Sequence, residues 1–324
     1  MVLVLTDAEI DQVLALESLA DEVEHALVKQ AAGAVERPER PHYPVGEELE
    51  SDDPLGTGLV MPAYVHGEDY FATKLASIHE GNADRGLPTL HAQIVLADAR
   101  TGEPVAVLDG TRITNARTGC IGGLAARELA SDPVRVGVVG AGAQARWQTR
   151  AIAALCDVES VAVYSPSDSK HECVEVLNEE GIPASAAESA ADAVRDVDVV
   201  VTATTSTDPV FPADALAPGT LVVAIGAYES GIQEVEPAVF DRAARVFADV
   251  PEEVATIGDL AATSLTAADL VPMAALFEDG SAGRKSAEEI VVVESVGSAV
   301  FDVAAATAIY ETAREEGLGT DLAL

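Results

Sequence analysis

Residues Val134–Trp147 read VRVGVVGAGAQARW, and this stretch decides the fold of the 324-residue chain. Gly140, Gly142 and Ala145 stand at the spacing G-x-G-x-x-A, between a strand-like apolar run and a helix-like run. The first glycine permits a tight turn, the second lets the backbone approach a pyrophosphate, and the third small residue allows close helix–strand packing. A tight turn without a ligand is the alternative. The strand–turn–helix context favours dinucleotide binding.

The rest of the chain divides into two patterns. After the quoted stretch, strand-like runs such as VDVVVTAT, GTLVVAIGA and EIVVVESVG alternate with helix-like runs, which predicts a doubly wound parallel sheet. Before it, the runs TGLVMPAYV, DYFATKLASI, TLHAQIVLAD and PVAVLDG predict a mostly antiparallel sheet with flanking helices. Residues 35–56, rich in proline and acid, are predicted to be a loop. The final run SAVFDVAAATAIYETAREEG predicts a helix that packs back on the N-terminal half.

The composition is strongly acidic, with a net charge of -36 from 55 acidic and 19 basic residues. Self-repulsion of this size requires screening, and the Debye length falls to about 3 Å at ~1 M salt. We therefore expect a solvation coat in a salt-rich (halophilic) cytoplasm; an acidic surface for a basic partner is the alternative. Nucleic acid is excluded as a partner because phosphate binding requires clustered lysine and arginine.

Three cysteines without a CxxC pair indicate a reducing compartment. The N-terminus lacks the features of a signal peptide, and no apolar run reaches the ~18 residues of a membrane span, so we expect a cytoplasmic protein without a membrane partner. The six histidines show no metal spacing, and we predict no metal site.

The choice of cofactor depends on the end of the second strand, SVAVYS. An acidic residue at this position binds the ribose 2′-hydroxyl of NAD. Here Ser165, Ser167 and Lys170 follow the strand instead, and hydroxyls with an amine suit a 2′-phosphate. The sequence therefore predicts NAD(P), leaning to NADP. The alternative is that Ser167 or Asp168 only caps the next helix.

Two basic residues are candidates for binding an anion. Lys74 lies within the predicted strand DYFATKLASI, where burial of a lysine is costly unless it meets an anion. The turn-rich loop GNADRGLPT is expected to bring Thr89 back near it. Arg117, in ITNARTG, offers a fork that suits a carboxylate or phosphate. The alternatives are a solvated edge-strand lysine and a charge on a helix surface.

The runs MPAY…K…GN…GLPT, DARTGEPVAVLDGTRITNARTG and GVVGAGAQARWQ together resemble the ornithine cyclodeaminase/mu-crystallin family over nearly the whole chain. The family includes alanine dehydrogenases of archaeal type and ketimine or cyclic-imine reductases. The resemblance implies an α/β fold: a central Rossmann-type parallel sheet in residues 118–297, and an α+β substrate-binding and dimerisation domain in residues 1–117 plus 298–324. It also implies a homodimer whose two sheets join.

The resemblance also implies roles for individual residues. Lys74 binds the substrate carboxylate and assists proton transfer, Arg117 contacts the carboxylate and the cofactor, and Thr89 ends the substrate block. A further substrate arginine is Arg40, with Arg37 as the alternative. The further cofactor-binding candidates are Thr118, Ala143, Gln144, Thr202, Ala203, Thr204, Gly226, Ala227, Val296 and Gly297.

Tyr228 stands where the cyclodeaminases of the family carry an aspartate that holds the substrate's distal amine. A phenol does not hold a cationic amine as a carboxylate does. The resemblance therefore favours an oxidoreductase acting on an amino or imino acid, with Tyr228 as a third catalytic candidate. One alternative is an ornithine cyclodeaminase in which Glu229 replaces the aspartate. The other is a non-catalytic NADP-binding protein like mu-crystallin.

Overall fold

The structure is a computed structural model that describes residues 1–227, 231–278 and 282–323, except for the side chains of residues 83 and 84. The strands are β1 (Val2–Leu5), β2 (Val35–Glu36), β3 (His42–Val45), β4 (Gly56–Val65), β5 (Tyr70–Ile78), β6 (Leu90–Asp98), β7 (Pro104–Asp109), β8 (Val134–Val139), β9 (Val158–Tyr164), β10 (Ala184–Ala186), β11 (Val199–Thr202), β12 (Leu221–Ala224), β13 (Ala243–Ala248), β14 (Val271–Pro272), β15 (Ile290–Glu294) and β16 (Thr320–Leu322). The helices are α1 (Asp7–Val13), α2 (Leu16–Ala31), α3 (Gly110–Leu129), α4 (Ala143–Leu155), α5 (Ser169–Glu179), α6 (Ala190–Ala193), α7 (Pro237–Arg242), α8 (Pro251–Val254) and α9 (Ala299–Glu316).

The chain divides into two compact units, the first formed by Met1–Arg117 with Ala299–Leu324 and the second by Thr118–Ser298. In the first unit the sheet has the order β16-β1-β7-β6-β5-β4-β2, and β3 pairs with β4. All these pairs are antiparallel except β1 with β7, which agrees with the expected mostly antiparallel sheet. Helix α9 packs against α2 and across β4 and β5, as its sequence position suggested.

The second unit contains a fully parallel sheet of the order β10-β9-β8-β11-β12-β15-β13-β14. Its central strands β11, β12 and β15 are buried at every position because helices cover a parallel sheet on both faces. The strand order reverses between β8 and β11, and ligands of such sheets bind beside this switch point. The predicted Rossmann-type α/β fold is therefore confirmed.

The loop predicted for residues 35–56 is partly wrong, because β2 and β3 form within it. Both are short strands that pair with β4, and β3 contains Pro44. Proline and exposed polar residues at an edge strand hide the alternation that identifies longer strands. Arg37 and Arg40, the two candidates for a substrate arginine, lie between these two strands.

The helices of the described residues include none with both the length and the apolar character that a membrane crossing requires.

Candidate active site

Lys74 lies on the interior strand β5, between β4 and β6. Side chains alternate between the two faces of a strand. Ala72, Lys74 and Ala76 share the buried face, whereas Leu75 points to the other face and is 48% exposed. Lys74 itself is only 3% exposed. The alternative of a solvated edge-strand lysine therefore does not describe this residue.

Asp302, on α9, joins the two basic residues that the sequence singled out. Its Oδ2 atom lies 2.6 Å from Nζ of Lys74, and its Oδ1 atom accepts a hydrogen bond of 2.9 Å from Nε of Arg117. The Lys74 amine also donates to Oγ1 of Thr114 at 3.3 Å. Arg117 is 4% exposed and Asp302 is 1% exposed, so Arg117 is not a charge on a helix surface.

Burial has the largest effect on the ionisation of Lys74. Together with the positive charges of Arg117 and Arg40 it lowers the pKa of the lysine to about 8, although the Asp302 carboxylate opposes this change. Burial acts to raise the pKa of Asp302, but Arg117 and Lys74 hold it below its ordinary value. Near neutral pH the three groups therefore form an ion cluster with a lysine close to its titration point.

The positive charge of Arg40 acts on the ionisation of Lys74. Thr89 differs from expectation: it is exposed, and its carbonyl accepts a hydrogen bond from the amide of His79, which directly follows β5 and lies five residues beyond Lys74. At about 3.3 Å per residue, this places Thr89 roughly 16 Å along the strand from the lysine. The expectation that the loop returns Thr89 to the lysine is wrong.

The phosphate loop has the geometry that its sequence predicts. Gly140 adopts φ +118°, and a Cβ atom there would collide with the carbonyl oxygen of Ala203. Gly142 precedes the first turn of α4, and a Cβ added to it would meet nothing within 4 Å. Ala145 is completely buried. The open backbone at Gly142 and Ala143, at the start of a helix, fits the pyrophosphate of a dinucleotide.

At the end of β9, three hydroxyl groups cluster where an acidic residue is absent. Oγ of Ser167 lies 3.2 Å from Oγ of Ser165 and 2.7 Å from Oγ of Ser169. Lys170 donates to the carbonyl of Ala187 at 3.2 Å, and its amine lies 5.3 Å from the ring centre of Tyr164. Asp168 stands at the N-cap position of α5 but makes no capping hydrogen bond with its side chain.

The remaining cofactor-binding candidates lie near neighbouring strand ends or beside the phosphate loop. Thr204 and Gly226 donate backbone hydrogen bonds to Glu234, and Val296 and Gly297 donate theirs to Asp249. The hydroxyl of Thr202 is fully buried and also donates to Glu234, so this side chain does not face a ligand.

The other candidates occupy different environments. Thr118 is buried, and its carbonyl accepts from Nε2 of Gln148 at 2.7 Å. Gln144 lies in the first turn of α4, and Ala203 and Ala227 follow β11 and β12. Tyr228 and Glu229 lie outside the described residues. Among the described side chains, no group of three or more His, Cys, Asp or Glu is arranged to hold a metal ion.

Comparison with known proteins gives the family. The family model for ornithine cyclodeaminase/mu-crystallin matches residues 1–317. The chain belongs to the ornithine cyclodeaminase/mu-crystallin family. It is 33% identical over 329 residues to the alanine dehydrogenase of Archaeoglobus fulgidus, covering 99% of this chain and 98% of that one.

Two solved structures of proteins similar to this family member have related folds. An archaeal alanine dehydrogenase dimer with bound NAD has a TM-score of 0.90 at 30% identity, covering 100% of this chain and 99% of that chain. The Δ1-pyrroline-2-carboxylate reductase of Thermococcus litoralis, in complex with NADH and L-proline, has a TM-score of 0.86 at 27% identity, covering 99% and 100%. The suspected family resemblance is confirmed.

Sequence reasoning missed the buried carboxylates of this family member, Asp302 and Glu234 among them. Asp302 is 185 residues from Arg117, so no local spacing connects them. Its signal was a lone acid in the apolar run AVFDVAAATAIY. Glu234 lies in the run GIQEVEP, where it resembles an ordinary surface acid.

Proposed function

We propose that this chain is an NAD(P)-dependent oxidoreductase acting on a small α-amino or α-imino acid. The observation that carries the proposal is the buried arrangement of Lys74, Asp302 and Arg117 in a member of this family. Removing three charged groups from water is costly, and apolar residues of similar volume would stabilise the fold as well or better. A function that requires these charges accounts for their presence.

The charge of the cluster suits a carboxylate substrate. Two cations, Lys74 and Arg117, against the single anion Asp302 leave one positive charge, and Arg40 adds another nearby. Arginine presents a planar fork that matches a carboxylate, so we assign Arg117 and Arg40 to the α-carboxylate of the substrate.

Lys74 is assigned to proton transfer. A group exchanges protons best when its pKa lies near the working pH, and burial sets the pKa of this lysine at about 8. The protonated amine donates to the substrate nitrogen during reduction, and the neutral amine accepts the proton during oxidation. When bound, the nicotinamide cofactor supplies or accepts the hydride at the carbon that carries this nitrogen.

NADP is our finer proposal for the cofactor. It is supported by the serine hydroxyls and Lys170 at the end of β9, where no acidic residue stands to bind a free 2′-hydroxyl. The two similar structures hold NAD and NADH, which supports the other choice. Dissociation constants for NADPH and NADH decide between them. With Lys170→Ala, NADPH should bind more weakly and NADH should be unaffected.

The substrate class is proposed from the similar proteins, an alanine dehydrogenase and a Δ1-pyrroline-2-carboxylate reductase. The decisive experiment measures oxidation of NADH and NADPH in molar KCl with pyruvate plus ammonia, pyrroline-2-carboxylate and piperideine-2-carboxylate. Turnover of at least one substrate is expected. Release of ammonia and proline from ornithine without net change of the cofactor would instead identify a cyclodeaminase. Cofactor binding without any turnover would identify a binding protein.

We also propose roles for the two units, an oligomeric state and a cellular environment. The first unit is assigned to substrate binding and dimerisation, and the second to the dinucleotide. A homodimer formed through the first sheet has support from the archaeal dehydrogenase, which is a dimer, and from exposed Leu75 and Val95 on that sheet. A salt-rich cytoplasm remains the proposed setting because of the net charge of -36.

A further inference from the structure

Glu234 is a completely buried acid whose carboxylate holds the ends of two adjacent parallel strands. Oε2 accepts from Oγ1 of Thr202, the last residue of β11, at 3.0 Å. Oε1 accepts from the amide of Thr204 at 2.5 Å. Oε2 also accepts from the amide of Gly226, just after β12, at 2.7 Å. One side chain therefore binds three donors, one from the last residue of β11 and one from each of the segments that follow β11 and β12.

These segments are packed closely against each other and against Glu234. A Cβ atom on Gly226 would collide with the carbonyl oxygen of Thr204 and approach Cδ of Glu234 to 2.6 Å. A Cβ atom on Gly140 would collide with the carbonyl oxygen of Ala203, which directly precedes Thr204. Close contacts thus run without a gap from the phosphate loop, through the segment after β11, to the segment after β12.

Glu234 is itself held by the surrounding backbone. Its amide and that of Val235 donate to Oδ1 of Asp259 at 2.6 and 2.8 Å. Its carbonyl accepts from the amide of Val210 at 2.8 Å. The carboxylate therefore occupies a defined position and does not act as a mobile surface charge.

The position is costly for an acid. Burial raises the pKa of Glu234 to about 7, and the charge of Asp259 contributes, although the hydrogen bonds from Thr204 and Gly226 oppose the shift. An apolar side chain would fill the space without this cost but would leave two backbone amides and a hydroxyl without an acceptor. The three hydrogen-bond donors around this position therefore explain why an acid occupies it.

We propose that Glu234 is a positioning residue of the dinucleotide site, which sets the spacing of the segments after β11 and β12 for the nicotinamide half of the cofactor. The inference rests on the proposed function. These segments carry four candidate cofactor residues, Ala203, Thr204, Gly226 and Ala227, and their strands lie on the far side of β8 from β9. The adenosine half belongs to the β9 side, so loss of Glu234 acts on one half of the ligand.

Trp147, the single tryptophan of the chain, provides a direct measurement. It lies on α4, in the helix that begins at the phosphate loop. Its fluorescence should be quenched when NADH or NADPH binds, which gives a dissociation constant independent of turnover. The wild-type protein is titrated first. Failure to bind either cofactor would overturn the proposed function itself, before any variant is considered.

The test variants are Glu234→Gln, Thr202→Val and the control Glu294→Gln. Glutamine keeps the shape of Glu234 but presents an amide where a backbone donor needs an acceptor, so the dissociation constant should rise about tenfold or more. Thr202→Val removes one donor without adding a buried polar group, and a rise of a few-fold is expected. Glu294 is also buried and its Oε1 has no hydrogen-bond partner among the described residues, so its replacement should leave binding within about twofold.

Binding of AMP separates positioning from a general loss of structure, because AMP occupies only the adenosine half. Glu234→Gln should weaken NAD(P)H binding and leave AMP binding unchanged. Equal weakening of both ligands, or unchanged NAD(P)H binding by Glu234→Gln, would overturn the inference. If Glu234→Gln does not fold, NAD(P)H and AMP binding are compared in Thr202→Val instead. Unchanged NAD(P)H binding by that variant, or equal weakening of both ligands, would overturn the inference.

Discussion

Nζ of Lys74 lies 2.6 Å from Oδ2 of Asp302, and both side chains are almost completely withdrawn from solvent. The aspartate carboxylate favours the charged form of the lysine against the effect of burial, and it also accepts a hydrogen bond from Arg117. Under the proposed function, in which Lys74 transfers protons, Asp302 acts as a positioning residue for it.

Asp302→Asn should shift the pH profile of the reaction. Without the carboxylate, burial and the charge of Arg117 act on Lys74 unopposed, so its pKa falls below about 8. In the direction of imine reduction, where the protonated amine is the donor, the rate falls as pH rises through this pKa. The variant should show that fall at lower pH, with kcat/KM reduced at pH 8. Glu311→Gln on the same helix is the control, and an unchanged profile for Asp302→Asn would contradict the role.

Lys74→Met should abolish turnover and preserve the fold. Methionine fills the volume of the lysine stem and leaves the hydrogen bond between Arg117 and Asp302 in place. Cofactor binding, followed by the fluorescence of Trp147, should be retained. Lys29→Met on α2 is the matched control and should keep full activity. Normal turnover by Lys74→Met would remove the lysine from the mechanism.

The stability of the protein should decrease as pH rises from about 4 to about 7. Burial raises the pKa of Glu234 from 4.5 to about 7 and that of Asp259 from 3.8 to about 6. In this window the unfolded chain has released protons that the folded chain retains, so the free energy of unfolding falls. Asp302, with its lowered pKa, contributes stability that is lost only below about pH 3.8, outside the window.

Urea denaturation at pH 5 and pH 8, at one KCl concentration, measures this decrease. Asp259→Asn should make it smaller, whereas the exposed Glu188→Gln should leave it unchanged. If the free energy of unfolding of the wild type rises across this window, the pKa values of these two acids are not raised in the folded protein, and the prediction is wrong.

Charges placed on the exposed face of the first sheet should disrupt the proposed dimer. Leu75 and Val95 are 48% and 42% exposed and lie diagonally on β5 and β6, because Leu75 pairs with Gln93 and Val95 pairs with Thr73. The double variant Leu75→Asp/Val95→Asp should sediment as a monomer. Leu49→Asp, at a residue that is 76% exposed elsewhere, should sediment like the wild type. A wild-type monomer would remove the basis of this prediction.

The melting temperature should rise with salt. Repulsion within a chain of net charge -36 is screened more completely as the Debye length shortens from about 10 Å at 0.1 M to about 3 Å at ~1 M. Melting temperatures are measured in KCl and in sucrose of equal osmotic strength. KCl screens the charges of the protein, whereas sucrose stabilises proteins only through its exclusion from their surface. An equal rise in both would contradict the electrostatic explanation.

The fold could be predicted because its signals are local. The spacing of Gly140, Gly142 and Ala145 and the valine-rich strands that follow each lie within a few residues of sequence. The strands β2 and β3 could not be predicted, because among the described residues each pairs with β4 alone and their own residues resemble a loop. Such short edge strands owe their existence to the partner strand.

The site could be predicted only in part. Lys74 and Arg117 have unusual positions in the sequence. Lys74 lies within a predicted strand, and Arg117 shortly precedes the predicted dinucleotide-binding half of the chain. Asp302 comes from the opposite end of the chain, and Glu234 acts through backbone donors on two strands. Relationships of this kind depend on tertiary packing, which spacing along the chain does not encode. The same limit explains Thr89, whose loop returns to His79, just beyond the end of β5, and not to the lysine.

Strand β5 places Lys74 and Leu75 on opposite faces, one toward the buried ion cluster and the other toward the outside. Because side chains alternate with a period of two, the parity of any insertion or deletion in this strand decides its effect. One added residue before Lys74 would move the amine to the outer face and Leu75 to the buried face, whereas two would preserve the faces. We therefore expect length changes in this segment during evolution to occur in pairs, or to be confined to the turns at its two ends.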